Sequence, residues 1–124
     1  MLRRSRLFAP IAVLVLAVAG CASGEDAAPP PEPVAADDGQ VTIVGTDRLT
    51  FDVEEVTAEP GPLTFELVCE DAVNHNLVIA GEGVAECAPG ETDTGTIELE
   101  EGTYRYLCNV PGHERTMQGD VTVG

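Results

Sequence analysis

The sequence has 124 residues, enough for one small domain, and carries 22 Asp and Glu residues against six Lys and Arg. After residue 20 the only cations are three arginines, so the formal charge of that part is −19. Such an acidic surface excludes nucleic acid as a partner, because the phosphate backbone would be repelled. An anionic membrane surface would be repelled as well, so membrane attachment would require a separate anchor.

The first 20 residues have the pattern of an export signal. Three arginines within the first six residues precede an apolar run, Leu7 to Ala19, that is too short for a membrane-spanning helix. Small residues then lead to Cys21, which resembles the lipobox cysteine of bacterial lipoproteins. We predict a signal peptide over residues 1–20 and a lipid on Cys21; an ordinary secretory signal is the alternative. The paired arginines at positions 3 and 4 also permit twin-arginine export.

Residues 21–40 are predicted to form a disordered tether. They contain alanine, proline and acidic residues, with almost nothing to bury against a core. Four prolines stiffen the segment, and residues 22–40 would span roughly 60 Å if fully extended. With a lipid on Cys21, this tether would hold a domain off the outer face of the cytoplasmic membrane.

From residue 41 onward the sequence predicts short β-strands. We predict a turn at Pro60–Pro62 and a loop over residues 81–90, because glycine and proline cluster there. No stretch keeps a helical period, so the fold class is all-β, a small sandwich of seven to eight strands. The predicted strands, in chain order, are VTIV, LTFDVEEV, LTFELVC, HNLVIA, TGTIELE, GTYRYLC and DVTV.

Alternation along these strands predicts which side chains form the core. Tyr104 and Tyr106 lie on the strand leading to Cys108, where packing is favoured over a role in electron transfer. The remaining predicted core residues are apolar and lie on alternating strand positions: Leu49, Phe51, Phe65, Leu67, Val78 and Leu107.

Two of the four cysteines are predicted to form a disulfide. Cys21 is assigned to the lipid and Cys108 to a ligand loop, which leaves Cys69 and Cys87. Disulfides persist in exported proteins, and this one would stabilise a thin core by about 3 kcal/mol. Two buried free thiols are the alternative.

The residues after position 20 include four side chains that together could bind one metal ion. It holds two histidines, His75 and His113, the thiol of Cys108, and one methionine, Met117. A trigonal His₂Cys site with a weak axial methionine is the geometry of blue copper. The spacing C-x₄-H-x₃-M lets one loop bring three side chains to a single ion, while His75 comes from a distant strand.

The motif CNVPGHERTM, with NHNLVI upstream, closely resembles the cupredoxins, the plastocyanin, azurin and amicyanin group. The resemblance covers residues 41–124 and implies a Greek-key sandwich holding one type 1 copper. It implies that His75, Cys108 and His113 are equatorial ligands and that Met117 is axial. It also implies a hydrogen bond from Asn76 to the segment after Cys108, here Asn109.

The resemblance implies a monomeric electron carrier that meets redox protein partners transiently. In the family the loop histidine, here His113, reaches the surface within an apolar patch, and Val110 and Pro111 fit that role. A copper storage or delivery module is the alternative, although such proteins use Met- or His-rich tracts. An enzyme is not expected, because no histidine remains for a catalytic copper. A binuclear copper site is not expected, because it would need a second cysteine in the loop. Zinc is disfavoured as the metal, because it gains little from a methionine ligand.

Overall fold

A computed structural model describes residues 31–70 and 72–124, and the predicted export signal and Cys21 lie outside these ranges. The described residues form two β-sheets, which confirms the predicted all-β sandwich. No helix among them is long and apolar enough to cross a membrane. The strands are β1 (Val34–Ala35), β2 (Gln40–Gly45), β3 (Glu55–Ala58), β4 (Gly61–Cys69), β5 (His75–Ile79), β6 (Glu82–Cys87), β7 (Thr92–Leu99), β8 (Gly102–Leu107) and β9 (Gln118–Val123).

The first sheet has the strand order β1-β3-β9-β8-β5-β6, and the second has the order β2-β4-β7. The pairs β1–β3, β3–β9 and β2–β4 are parallel, and the other pairs are antiparallel. The connections therefore alternate between two ends of the sandwich. We call one the upper end, formed by residues 46–54, 70, 72–74, 88–91 and 108–117, and the other the lower end, formed by residues 36–39, 59–60, 80–81 and 100–101.

The core lies between the sheets and follows the alternation of the strands. Phe51, Phe65 and Leu67 are buried as predicted, and Leu49 packs against the core half-buried. Val78 and Leu107 were predicted to be core residues, and this is wrong: both are only half-buried. Their chain neighbours take the inward positions in β5 and β8, namely Leu77, Ile79 and Tyr106.

Tyr106 is a large, fully buried side chain at the centre of the sandwich, which agrees with a packing role. Its ring lies 5.6 Å from that of Phe51, and its hydroxyl donates a hydrogen bond to the carbonyl of Val53. Burial raises the pKa of the Tyr106 phenol, and the nearby carboxylates of Asp52 and Glu54 raise it further.

The predicted disordered tether does not extend to residue 40. Val34 and Ala35 pair with β3, and the amide of Ala36 donates to the Thr57 carbonyl at 2.8 Å. The turn at residues 38–39 then carries the chain into β2, because both residues have positive φ angles, 49° and 72°. Backbone hydrogen bonding to a sheet edge thus orders a segment whose side chains are almost all exposed.

Two strand predictions also differ from the structure. The stretch LTFDVEEV is not one strand: residues 46–54 cross between the sheets, and only its last residues enter β3. Leu49 has a φ of 56°, which interrupts the extended backbone. The predicted loop 81–90 instead contains β6, because Ala80 and Gly81, with φ angles of 51° and 83°, form a tight hairpin turn.

Candidate metal centre

Three of the four predicted ligands converge at the upper end. His75 begins β5, Cys108 directly follows β8, and His113 lies in the connection to β9. One donor atom from each lies within 4.8 Å of the other two. The Cys108 Sγ is 3.6 Å from Nδ1 of His113, and the two imidazole rings lie 5.3 Å apart. A thiol and two imidazoles at these distances can bind one metal ion.

The three side chains are shielded from water, since His75 and Cys108 are 0% exposed and His113 is 7% exposed. Removal of two imidazoles and a thiol from water is costly, and a bound metal ion would offset part of that cost. Exclusion of water also strengthens electrostatic interactions at the site.

Backbone hydrogen bonds shape the loop that carries Cys108 and His113. The His113 amide donates to the Val110 carbonyl at 2.9 Å, and the Met117 amide donates to the His113 carbonyl at 3.0 Å. The Cys108 amide then donates to the Met117 carbonyl at 3.0 Å, which closes the loop. Met117 is 0% exposed, so this closure places a buried thioether residue next to Cys108, just beyond the paired ends of β8 and β9.

The predicted hydrogen bond between Asn76 and Asn109 is confirmed, and it is double. Asn76 Nδ2 donates to Oδ1 of Asn109 at 2.5 Å, and the Asn109 amide donates to Oδ1 of Asn76 at 2.8 Å. The amide of Asn76 also lies 3.5 Å from Sγ of Cys108, in position to donate to the sulfur. This pair holds the His75 segment and the Cys108 segment in register.

The predicted disulfide between Cys69 and Cys87 is present and buried. Cys69 ends β4 in the second sheet, and Cys87 ends β6 in the first. The bond therefore joins the two sheets at the upper end, close to the start of β5.

Sequence reasoning missed Gly45, which lies against the ring of His75. A Cβ atom at Gly45 would come within 2.5 Å of Cδ2 and 2.8 Å of Cγ of that ring. The sequence contained only a weak signal, a glycine directly after the β-branched stretch VTIV.

Two further contacts that the sequence did not indicate hold the loop from outside. The Thr116 hydroxyl donates to the Leu49 carbonyl, which ties the loop to residues 46–50. Gln118 Nε2 lies 3.3 Å from the carbonyls of Glu114 and Arg115, and its Oε1 accepts from Arg105 at 2.8 Å. The ligand loop is therefore fixed on three sides, by Asn76, by residues 46–50 and by Gln118.

A β-sandwich whose upper end brings together two imidazoles and a thiol defines a cupredoxin-type copper protein, because thiolate and imidazole together suit copper. A sequence model of the family described as copper binding proteins, plastocyanin/azurin family, matches residues 38–124. The chain belongs to this family and binds one copper, for which His75, Cys108 and His113 form the matching donor group.

Solved structures agree with this assignment. Auracyanin A, a blue copper protein from the green thermophilic photosynthetic bacterium Chloroflexus aurantiacus, is 26% identical with a TM-score of 0.62. The match covers 75% of this chain and 100% of that protein. Auracyanin B, at 19% identity and a TM-score of 0.62, covers 76% and 91% and supports the fold alone. No curated protein sequence matches closely enough to count as a relative.

Proposed function

We propose that this protein is a type 1 copper electron carrier that cycles between Cu(II) and Cu(I). The observation that carries the proposal is the convergence of His75, Cys108 and His113 in a buried position at one end of a rigid sandwich. Met117 supplies the weak axial ligand, since its backbone is paired with that of Cys108 and its side chain is buried. Thiolate and thioether favour Cu(I), while imidazole accepts both states.

The protein contributes a fixed arrangement of donors. Asn76 and Asn109 hold the two ligand segments together, and the disulfide joins the two sheets nearby. Bound copper would supply a one-electron couple. Because the donor atoms are held in place, the reorganisation energy of electron transfer should be small. The amide of Asn76, aimed at the Cys108 sulfur, withdraws charge from the thiolate and so favours Cu(I).

His113 is the proposed route for electrons between the copper and a partner. It is the more exposed of the two histidines, at 7% against 0% for His75. Pro111 and Gly112, which precede it, are exposed, and Val110 is half-buried, so uncharged residues flank the ring on this side. An interface on such a patch would bury little area and be transient, which suits a monomeric carrier that must release each redox protein quickly.

We further propose that the protein works outside the cytoplasm, held at the membrane by a lipid on Cys21. The support is the basic and apolar start of the sequence, and a disulfide of the kind that persists in oxidising compartments. A storage or delivery role fits less well, because the donor group is buried and the chain has no Met- or His-rich tract. Both histidines belong to this site, so none remains for an enzymatic copper centre.

An optical spectrum tests the electron-carrier proposal. Residues 22–124 loaded with Cu(II) should show an intense visible thiolate-to-copper band that ascorbate bleaches and an oxidant restores. Cys108→Ser should lack the band, and Met117→Leu should keep it with a changed reduction potential, because the axial ligand tunes the potential of such a site. A colourless wild-type protein, or rapid copper loss to a mild chelator, would contradict the proposal.

A further inference from the structure

Gln118, the first residue of β9, connects the Cys108 segment to the turn that carries His113. Its backbone lies opposite Leu107, the residue directly before Cys108, in the pair of β8 and β9. Its side-chain Nε2 lies 3.3 Å from the carbonyl oxygens of residues 114 and 115, which directly follow His113. One residue thus contacts the chain next to both ligands, and its conformation affects the position of one ligand relative to the other.

The turn after His113 ends with carbonyl oxygens that need a donor. The His113 carbonyl accepts from the amide of Met117 at 3.0 Å, in the pattern of a single helical turn. Because β9 begins at Gln118, the chain becomes extended there and the helical series of amide donors stops. The Gln118 side chain donates to the carbonyls of residues 114 and 115 instead, and so holds the end of the turn.

Arg105 determines which end of the Gln118 amide faces the turn. The two ends of a glutamine amide are similar in shape, but one end accepts hydrogen bonds and the other donates them. Nη1 of Arg105 donates to Oε1 of Gln118 at 2.8 Å, and a guanidinium can only donate. A reversed amide would place a donor against Arg105 and an oxygen against the two carbonyl oxygens. The guanidinium therefore keeps the NH₂ group directed at the turn.

Asp120 holds Arg105 in this position on the outer face of the sheet. It lies directly opposite Arg105 in β8 and β9, and its Oδ1 is 3.3 Å from Nε of Arg105. The two side chains are 59% and 40% exposed, so water screens the pair and it adds little to the stability of the domain. Its effect is on direction, because a guanidinium bound at Nε by Asp120 can still donate through Nη1 to Gln118.

We propose that Arg105 is a positioning residue of the copper site and acts on it through Gln118. The two side chains set the separation of the Cys108 sulfur and the His113 ring, and with it the reduction potential of bound copper. Sγ of Cys108 and Nδ1 of His113 are 3.6 Å apart and buried, so a small displacement of the turn changes this separation. The inference rests on the proposed function, since it concerns the potential of the same site.

The metal-free full chain tests the contact between Arg105 and Gln118. NMR measures how fast the side-chain amide protons of Gln118 exchange with water, and their hydrogen bonds to the turn should slow this exchange. Arg105→Ala leaves the amide free to rotate, so the exchange should become several-fold faster. Arg105→Lys keeps a cationic donor but loses the planar fork, so its exchange rate should be intermediate. An unchanged rate in Arg105→Ala would show that Arg105 does not orient the amide.

The copper-loaded full chain tests the effect on the site. Arg105→Ala and Gln118→Leu should each change the copper hyperfine splitting in the EPR spectrum and shift the reduction potential in the same direction. The double variant should shift the potential no further than Gln118→Leu alone, because both changes act through one contact. Denaturant unfolding should change little in Arg105→Ala, since its ion pair is exposed.

Arg48→Ala is the control for charge, because it removes the same charge from an exposed position at the upper end. It should shift the potential much less than Arg105→Ala, since an exposed charge is screened. Equal shifts in the two arginine variants, with Gln118→Leu unchanged, would reveal a charge effect and overturn the positioning role. Additive shifts in the double variant would contradict it as well. A wild type without the blue band would overturn the proposed function, whereas an intact band with an unchanged potential in Arg105→Ala would overturn this inference alone.

Discussion

Cys87 lies directly opposite His75 in the antiparallel pair of β6 and β5. Its disulfide partner, Cys69, lies opposite Gly45 in β4 and β2, and Gly45 contacts the His75 ring. The disulfide thus joins the residue opposite His75 to the residue opposite Gly45, and the backbone of Gly45 lies against the His75 ring. It closes the sandwich behind His75 and supports the position of that ring.

We expect the double variant Cys69→Ala, Cys87→Ala to lose about 3 kcal/mol of unfolding free energy, the chain-entropy value for a loop of this size. Both cysteines are replaced so that no free thiol competes for copper. Because the strands on which His75 and Gly45 lie are no longer joined through their neighbours, the copper hyperfine splitting in the EPR spectrum should broaden. Denaturant unfolding of the metal-free protein measures the stability, and EPR of the Cu(II) form measures the site. A destabilised variant with an unchanged EPR spectrum would show that the disulfide does not position His75.

Gly45→Ala should disturb the copper site. The added Cβ would meet the His75 ring at 2.5 Å, so the ring must shift or the strands must separate. We expect a shifted visible band and weaker copper retention, measured by titration with a chelator. Gly83→Ala is the matched control, because nothing lies within 4 Å of its Cβ and it should leave both properties unchanged. Equal behaviour of the two variants would contradict the role of Gly45.

The convergence of His75, Cys108 and His113 was predictable because the sequence after residue 20 holds only two histidines and one cysteine not otherwise assigned. Which residues of a strand face the core was less predictable where several apolar residues are consecutive. In HNLVIA, Leu77, Val78 and Ile79 are all apolar, so alternation does not tell which face is inward, and a register shift after Leu77 adds to this. Likewise Tyr106 and Leu107 compete for the same core, and the larger ring takes the buried position.

Features set by tertiary contact could not be predicted from local pattern. β1 forms because an edge of β3 offers hydrogen-bond partners, not because residues 34–35 have apolar partners. The importance of Gly45 depends on a ring thirty residues away in sequence. Leu49 in a left-handed conformation is stabilised by its own loop, whose hydrogen bonds join Thr46 to Thr50 and to Leu49.

Asn76→Ala should loosen the connection between the two ligand segments. It removes both side-chain hydrogen bonds to Asn109, at a cost of about 1–3 kcal/mol, and retains the backbone amide near Cys108. We expect lower thermal stability of the Cu(II) form and slower electron self-exchange, because the donors are held less firmly. Asn74→Ala, at an exposed position in the same connection, is the control. An unchanged exchange rate in Asn76→Ala would mean that the ligand segments keep their geometry without this pair.

Tyr106→Phe should change the response of the domain to alkaline pH. Burial raises the pKa of the folded Tyr106 phenol above its ordinary value, so the folded state holds the proton more tightly than the unfolded chain. The stability linked to this proton is complete below the unfolded pKa, about 10, and is lost as pH rises above it. Tyr106→Phe cannot titrate at this position, so its unfolding free energy should decline less than that of the wild type between pH 10 and 12.

At pH 7 the variant should be less stable by about 1–3 kcal/mol, because the buried carbonyl of Val53 loses its donor. Denaturant titrations of the metal-free proteins across this range provide the measurement, with Tyr104→Phe as the control for a half-buried tyrosine. Parallel pH profiles for wild type and Tyr106→Phe would show that another group governs alkaline unfolding.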